Sequence, residues 1–148
     1  MRKKGLLVVG MIGVAMLTGC GASFQINATD LEKYSNSNSG VYADMSDSYT
    51  DTYDYIDGVY VMEKDDVHVE LWDIDKPSNA SKWFESNVET LKDGSKSSSG
   101  SNTISGGEYT ITIDNMVYRI LFSEDKGIYA YGDTKDSINK VLADLNIN

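Results

Sequence analysis

The chain has 148 residues, a formal net charge of −10, one cysteine, one histidine and ten tyrosines. This length suits one domain built around one hydrophobic core. Phosphate backbones repel a chain this acidic, which argues against nucleic acid as a partner. A single cysteine forms no disulfide within the chain, and it leaves zinc binding and thiol catalysis without their usual set of ligands.

The first 19 residues have the layout of a secretory signal. Met1-Arg2-Lys3-Lys4 is positively charged, and the mostly aliphatic run from Gly5 to Leu17 carries no charge. Leu17-Thr18-Gly19-Cys20 resembles the lipobox of bacterial lipoproteins. The resemblance implies that the leader is removed and that the thiol of Cys20 carries a diacylglycerol. It also implies a lipid anchor, with acyl chains such as palmitate, on the extracytoplasmic face of the cell membrane.

A single membrane-spanning helix is the competing interpretation of the leader. The stretch from Gly5 to Phe24 carries no charge and reaches the ~20 residues that a span requires. Its helix propensity is lowered by Gly10, Gly13, Gly19 and Gly21, however, and a span has no need of a cysteine after Leu-Thr-Gly. A cleaved and freely secreted form is the third interpretation. Two acyl chains retain a protein stably at a membrane, so the lipid alone suffices as an anchor.

Cleavage before Cys20 removes three basic residues and no acidic one, which changes the net charge from −10 to −13. Anionic lipid headgroups repel such a domain, so the acyl chains are the expected source of its membrane affinity. The ligand classes that remain are cations, cationic peptides, neutral glycans and another protein, such as a cell-wall partner.

Three segments follow from this interpretation: a signal peptide (1–19), a lipidated tether with a short helix (20–40) and one domain (41–148). Gly21 to Ala28 is expected to be extended tether. Thr29 and Glu32 have the spacing of a capping box, and the polar run from Ser35 to Gly40 ends the short helix that they begin.

Alternation of apolar and polar residues predicts the strands of the domain. An edge strand is expected over Val41 to Met45, and two strands beginning at Gly58 and Val67 form a hairpin around Glu63-Lys64-Asp65-Asp66. Three further strands are expected at Tyr109 to Ile113, Met116 to Ser123 and Ile128 to Tyr131. The Ser/Gly-rich stretch from Gly94 to Gly107 is expected to be a flexible loop.

Two amphipathic helices complete the pattern. One begins at Pro77 and ends near Lys92, and Asp133 or Thr134 caps the other. The expected fold is α+β, a single antiparallel sheet of five or six strands with both amphipathic helices on one face, in the order α-β-β-β-α-β-β-β-α. Residues expected to meet that face are Trp83, Phe84, Leu91, Val141, Leu142 and Leu145. The other face would carry part of the tyrosine set and be solvated or used for contact.

The stretch from Ser46 to Asp57 is rich in Asp and Tyr. Its carboxylates are those of Asp47, Asp51, Asp54 and Asp57, and Asp44 lies two residues before it. They could chelate calcium, but the EF-hand spacing fails because Tyr53 and Tyr55 occupy its first and third ligand positions. A solvated acidic loop is the favoured interpretation, ahead of a metal site and of a partner contact.

Tyrosine and tryptophan are abundant and could form a binding surface for a glycan or a protein. Most of them also suit strands, so a structural role is favoured for the strand residues Tyr109, Tyr118, Tyr129 and Tyr131. The candidate binding surface is the remaining set near the acidic residues: Tyr49, Tyr53, Tyr55, Asp51 and Asp54.

No catalytic constellation is visible in the sequence. Alternation places His68 beside Glu70 and Trp72 on one strand face, but a His–carboxylate pair alone defines no reaction. Arg119 is the only arginine outside the leader and is expected to pair with a carboxylate rather than with an anionic ligand.

These observations predict a lipid-anchored, non-enzymatic binding or accessory module without a cofactor. Two alternatives remain: a small inhibitor or immunity-type protein acting on a secreted enzyme, and a hydrolase with an unrecognised site. An inhibitor should present a rigid aromatic or acidic loop such as Tyr49 to Tyr55. A hydrolase should have a deep pocket with converging polar groups near His68.

Overall fold

A computed structural model describes residues 22–95 and 97–147, and it contains four helices and seven strands within those ranges. The helices are α1 (Ala28–Ser37), α2 (Ser46–Thr50), α3 (Pro77–Lys92) and α4 (Lys135–Asp144). The strands are β1 (Val41–Asp44), β2 (Ile56–Lys64), β3 (Val67–Ile74), β4 (Ser97–Asn102), β5 (Gly106–Ile113), β6 (Met116–Ser123) and β7 (Lys126–Gly132). The leader and Cys20 lie outside the described residues.

The seven strands form one sheet in the order β1-β2-β3-β7-β6-β5-β4, and every neighbouring pair is antiparallel. The predicted α+β class and the single antiparallel sheet are therefore confirmed. The sheet has seven strands rather than five or six, and the additional elements are the short helix α2 and the strand β4.

Strand β4 occupies six of the 14 residues from Gly94 to Gly107 that the sequence predicts to be a flexible loop, and β5 begins at Gly106 within the same stretch. Its residues Ser97 to Asn102 pair with Thr112 to Gly107 of β5. The prediction was wrong because the backbone, rather than the side chains, makes this strand: β5 offers a row of hydrogen-bonding groups that any extended segment can fill. Gly100 lies so close to the carbonyl oxygen of Glu108 that a side chain there would collide with it.

The two long helices lie on opposite faces of the sheet, not on one face as predicted. Trp83 and Phe84 of α3 pack with Ile120 and Phe122 of β6. Residues of α4, including Leu142, pack with Leu121 and with other residues of the opposite sheet face. Successive residues of a strand point to opposite faces, so the alternation in β6 separates two cores. Both faces are apolar, and each helix buries its stripe against a different one.

Part of the predicted tether belongs to the core. Ala22, Phe24 and Ile26 are buried with α4 residues on the face that α1 and α4 share. The sequence interpretation missed this because three apolar residues at alternate positions are too few to distinguish a strand-like segment from a linker.

Helix α1 begins two residues earlier than the predicted capping box implies. Asn27 is the N-cap: its side chain accepts a hydrogen bond from the backbone N–H of Asp30, whose carboxylate accepts one from the backbone N–H of Asn27. The predicted pair Thr29 and Glu32 lies within the helix instead. Both sets have the spacing of a capping box, and the extended backbone at Asn27 decides between them.

The predicted hairpins and the two long helices are confirmed. Asp65, Asp114 and Glu124 adopt left-handed backbone conformations at the tight turns β2–β3, β5–β6 and β6–β7. Thr134 caps α4 through a hydrogen bond from the backbone N–H of Ser137. Among the residues that the structure describes, no helix has the length and apolar character needed to cross a membrane.

Candidate functional site

A cleft of about 500 Å³ lies between α3, the end of β3 and the segment that joins α2 to β2. We call it the aromatic cleft. Five aromatic and four polar side chains line it: Tyr49, Tyr53, Tyr55, Trp72, Trp83, Asn79, Lys82, Ser86 and Asn87. Its size falls within the range of small-molecule sites.

The aromatic rings of the cleft contact one another. The ring of Tyr49 meets that of Trp72 edge-on with centroids 5.0 Å apart, and Trp72 lies 5.6 Å from Trp83. Tyr53 and Tyr55 form a second pair at 5.8 Å. Rings in contact at such distances stabilise one another, so the wall of the cleft is held in place before any ligand binds.

Local structure explains how α2 and the segment after it place Tyr49, Tyr53 and Tyr55 in the cleft. Asp44 at the end of β1 accepts hydrogen bonds from the backbone N–H and the hydroxyl of Ser46, which begins the helix. The backbone N–H of Tyr53 then bonds the carbonyl of Tyr49 and turns the chain back toward β2. The Asp-rich stretch is therefore a hydrogen-bonded turn at Asp44, the short helix α2 and a second turn at Tyr53.

The indole of Trp72 is oriented by a carboxylate. Its Nε1–H donates to Oε2 of Glu70 over 2.8 Å. The ring of Trp83 lies over Gly127 so closely that a Cβ there would stand 2.5 Å from Cζ3 of the indole. Contacts outside the cleft thus hold both indoles in place. The close approach of Trp83 to the backbone requires glycine at position 127.

The polar groups of the cleft favour particular hydrogen bonds. Asn79 donates to Oδ1 of Asp75 over 2.7 Å, and Asn87 donates to the carbonyl of Trp83 over 2.8 Å. The side-chain oxygens of both amides make no hydrogen bond within the described chain, so they can accept one from a ligand. Lys82 forms no ion pair among the described residues and leaves its ammonium group available as a donor.

His68 lies on the same sheet face, beyond Trp72, in a group that we call the histidine cluster (Glu63, His68, Glu70 and Tyr131). Its Nδ1 is 3.0 Å from Oε1 of Glu63 and its Nε2 is 3.0 Å from Oε1 of Glu70. The imidazole stacks on the ring of Tyr131 with centroids 4.5 Å apart. The predicted placement of His68 beside Glu70 and Trp72 is confirmed.

Burial alone would lower the pKa of His68, but hydrogen bonds to Glu70 and Glu63 outweigh it and raise the pKa above its ordinary value. Each ring nitrogen faces a carboxylate, which is the geometry of an imidazolium that donates two hydrogen bonds. In this state His68 holds a proton and has no free nitrogen with which to act as a base.

Two further tyrosines, Tyr118 and Tyr129, extend this face beyond Tyr131 of the histidine cluster. Tyr118, Tyr129 and Tyr131 lie within 6.4 Å of one another by ring centroids and remain partly exposed. Burial, with a smaller effect of Tyr118 and Glu70, raises the pKa of Tyr129 to about 12. Tyr109 differs from them because it lies under α3, against Phe84 and Lys92.

The residues of the candidate binding surface do not all come together. The three tyrosines at positions 49, 53 and 55 share the aromatic cleft, whereas Asp51 and Asp54 are exposed and do not line it. Within the described ranges, no group of three or more His, Cys, Asp or Glu side chains is placed to hold a metal ion.

Sequence reasoning missed the contribution of α3 to the site. Asn79, Lys82, Ser86 and Asn87 flank the apolar stripe of the helix at helical spacing, which is the signal that could have identified them. Trp83 was assigned to the core, and it serves both as core and as a wall of the cleft.

Arg119 has the structural role that the sequence predicts. Its guanidinium donates to Oε2 of Glu108 over 3.0 Å and to Oδ1 of Asn139 over 2.7 Å, which ties α4 to β5 and β6.

Comparison with protein-family models, with curated proteins and with solved structures finds no match to this chain.

Proposed function

We propose that this chain is a lipid-anchored, non-enzymatic binding protein on the extracytoplasmic face of the cell membrane, and that its aromatic cleft binds a neutral glycan. The observation that carries the proposal is the convergence of five aromatic rings and four uncharged or basic side chains on one cleft. Sugars present apolar C–H faces beside hydroxyl groups, and such a wall suits both.

The charges around the cleft favour a neutral ligand. Lys82 places a positive charge in the wall and disfavours a cationic group there. The net charge of −13 after removal of the leader disfavours a polyanion. A neutral ligand avoids both penalties.

Hydrogen bonding favours a ligand with several hydroxyl or acetamido groups. The amide oxygens of Asn79 and Asn87 accept, while Lys82 and the tyrosine hydroxyls donate. A purely apolar ligand would leave these groups desolvated without partners, at a free-energy cost.

The same arrangement supports binding rather than catalysis. No carboxylate or histidine among the described residues lines the cleft, and hydrolysis of a glycosidic bond ordinarily needs two carboxyl groups. His68 lies outside the lining, with both ring nitrogens hydrogen-bonded.

Intrinsic fluorescence tests the glycan proposal directly, because the only two tryptophans of the chain both line the cleft. We expect a soluble tetrasaccharide of N-acetylglucosamine to shift and saturate the tryptophan emission. A lysine-rich peptide, used as the cationic comparison, should leave the emission unchanged. A response to the peptide and none to the sugar would exclude a glycan site.

A matched pair of variants locates the binding. Tyr53→Ala removes a partly exposed ring from the cleft and should weaken sugar binding by about fivefold, since an aromatic contact contributes about 1 kcal/mol. Tyr42→Ala removes a ring that packs with the other core and should leave the affinity unchanged. Equal affinities of the two variants would place the sugar elsewhere.

The anchor is tested separately in the native host. We expect mass spectrometry to find a protein that begins at Cys20 and carries a diacylglycerol, and Cys20→Ala to abolish both lipidation and cleavage before position 20. An unmodified Cys20 with Met1 still attached would overturn the lipoprotein proposal without affecting the glycan proposal.

An inhibitor that acts on a secreted enzyme is the second candidate, supported by one exposed loop. Tyr53 is 43% exposed between the exposed residues Asp51 and Asp54, and the contact of Tyr49 with Trp72 braces the base of the loop. Asp51→Asn with Asp54→Asn should abolish inhibition of a secreted enzyme and spare sugar binding. Inhibition that survives this double change would remove the loop as its cause.

A further inference from the structure

Four loops meet at one end of the sheet, which we call the basal end (residues 53–56, 74–76, 103–106 and 124–126). Backbone hydrogen bonds join them in series. The N–H of Asp75 bonds the carbonyl of Tyr55, and the N–H of Ile74 bonds the carbonyl of Asp125. The N–H of Glu124 bonds the carbonyl of Ser105. These bonds make the basal end a continuous and ordered surface.

The N-terminal segment enters the domain at this end. The carbonyl of Ala22 lies against Gly106, so that a side chain at position 106 would collide with it. The backbone N–H of Phe24 donates to Oγ of Ser123 over 3.3 Å. Ala22 and Phe24 are only 6% and 5% exposed, and this segment is therefore core rather than linker.

Cys20 precedes Ala22 by two residues. Two residues span at most about 7 Å when fully extended. A lipid on Cys20 therefore leaves the domain almost no freedom to move away from the bilayer or to turn over, since the chain free to act as a tether is shorter than the extended tether from Gly21 to Ala28 expected from the sequence.

We propose that the basal end rests on the membrane and that Ile104 enters its surface; this rests on the proposed lipidation of Cys20. Ile104 is 95% exposed at the tip of the β4–β5 turn, two residues from the glycine that contacts Ala22. The turn is tight, because both the N–H and the hydroxyl of Thr103 donate to the carbonyl of Gly106. Ile104 therefore lies at the end of the domain from which the chain leads to Cys20, where a lipid on Cys20 would bring this exposed aliphatic side chain to the bilayer surface.

The other groups of the basal end fit a shallow contact. Tyr53 is partly exposed there, and tyrosine suits the headgroup layer, where its ring is buried and its hydroxyl hydrated. Exposed carboxylates such as those of Glu124 and Asp75 keep the rest of the surface in water and oppose an anionic headgroup. The aromatic cleft, which includes Tyr53 and Tyr55, is thereby held beside the bilayer, so its ligand lies in the membrane-proximal layer.

Site-specific labelling tests this orientation in the full-length lipidated protein. Cys20 is the only cysteine, and acylation consumes its thiol, so an introduced cysteine takes a fluorophore uniquely. Ile104→Cys places the label at the basal end. Asn115→Cys places it at the opposite end, beyond the eight residues of β5, which extend about 25 Å. Both positions are exposed, so neither change disturbs the core.

The labelled proteins are reconstituted in phosphatidylcholine vesicles that contain spin-labelled lipid. We expect quenching at position 104 to exceed that at position 115 by several-fold. Equal quenching at the two positions, or stronger quenching at 115, would overturn the proposed orientation. A protein that is not acylated and does not associate with vesicles would instead refute the proposed lipoprotein function, so the two failures are distinguishable.

Discussion

The contacts of His68 come partly from its own strand and partly from neighbouring strands. Strand alternation places it beside Glu70, which the sequence alone reveals. The second carboxylate comes from Glu63 across the β2–β3 pair, and the stacked ring comes from Tyr131 of β7. These two contacts arise only when the strands pair, and the hydrogen bonds to Glu70 and Glu63 raise the pKa of His68 despite its burial.

Stability should therefore depend on pH through His68. Its folded-state pKa is raised, so the cluster contributes its full stabilisation below the ordinary histidine pKa of about 6.5 and loses it as the pH rises through the folded-state value. We expect His68→Gln to lower the free energy of unfolding by about 1 kcal/mol near pH 6 and by less near pH 9.

Urea denaturation at the two pH values measures this difference. The chain has one histidine, so the pH dependence that distinguishes the parent from the variant belongs to position 68. A difference in the free energy of unfolding between parent and variant that grows with rising pH would contradict the raised pKa of His68.

At the scale of elements, local signals predict the long helices and the tight hairpins. Apolar spacing places α3 and α4, and acidic residues mark turns such as that at Asp65. Strand β4 has no such signal. Its Ser/Gly sequence is extended because β5 supplies hydrogen-bonding partners, and sequence patterns contain no record of that pairing.

Substitutions at the start of α1 distinguish experimentally between the two capping boxes. Asn27→Ala removes the observed N-cap and should lower the free energy of unfolding by about 1 kcal/mol. Thr29→Ala, at the position that the sequence suggests as the cap, should change it by less than about 0.5 kcal/mol because Thr29 is exposed within the helix.

Thermal or chemical denaturation of both variants makes the comparison. Thr29 lies within the helix, where propensity favours alanine over threonine, whereas Asn27 is the N-cap, so a loss confined to Asn27→Ala reports the cap. A larger loss for Thr29→Ala would restore the capping box predicted from the sequence.

For the molecule as a whole, the decisive feature is a sheet with two apolar faces. One face packs under α3 and bears the aromatic cleft, while the other packs under α1, α4 and the segment before α1. The N-terminal segment is therefore part of the domain, which explains why it cannot serve as a long tether.

Substitutions in that segment test its role. Phe24→Ala should destabilise the domain by about 3 kcal/mol, because Phe24 is buried among the residues of the second core. Gln25→Ala, at the exposed neighbouring position, should leave stability within about 0.5 kcal/mol of the parent.

Denaturation of the domain from Cys20 onward, measured for both variants, separates core from tether. A tether predicts no loss for either change. Equal and negligible losses of stability for the two variants would show that the residues before Asn27 are a linker, as the sequence suggests.

The candidate site was only partly accessible from sequence. Tyr49, Tyr53 and Tyr55 are close in the chain and were identified together. Trp72 and Lys82 reach the same cleft from β3 and α3, and their contribution follows from the packing of α3 onto the sheet. Helical spacing places Lys82 beside the apolar stripe of α3, but no periodic signal shows that this side of the helix meets Trp72, so this part required the fold.

The sequence by itself determined the class, the single antiparallel sheet, the long helices and the expectation of a lipidated Cys20. Each of these depends on residues that are neighbours in the chain. The tertiary structure alone decided that α3 and α4 lie on opposite faces, that Phe24 is core and that five aromatic rings converge. Those features depend on which apolar surfaces meet, and burial is settled among all the elements at once.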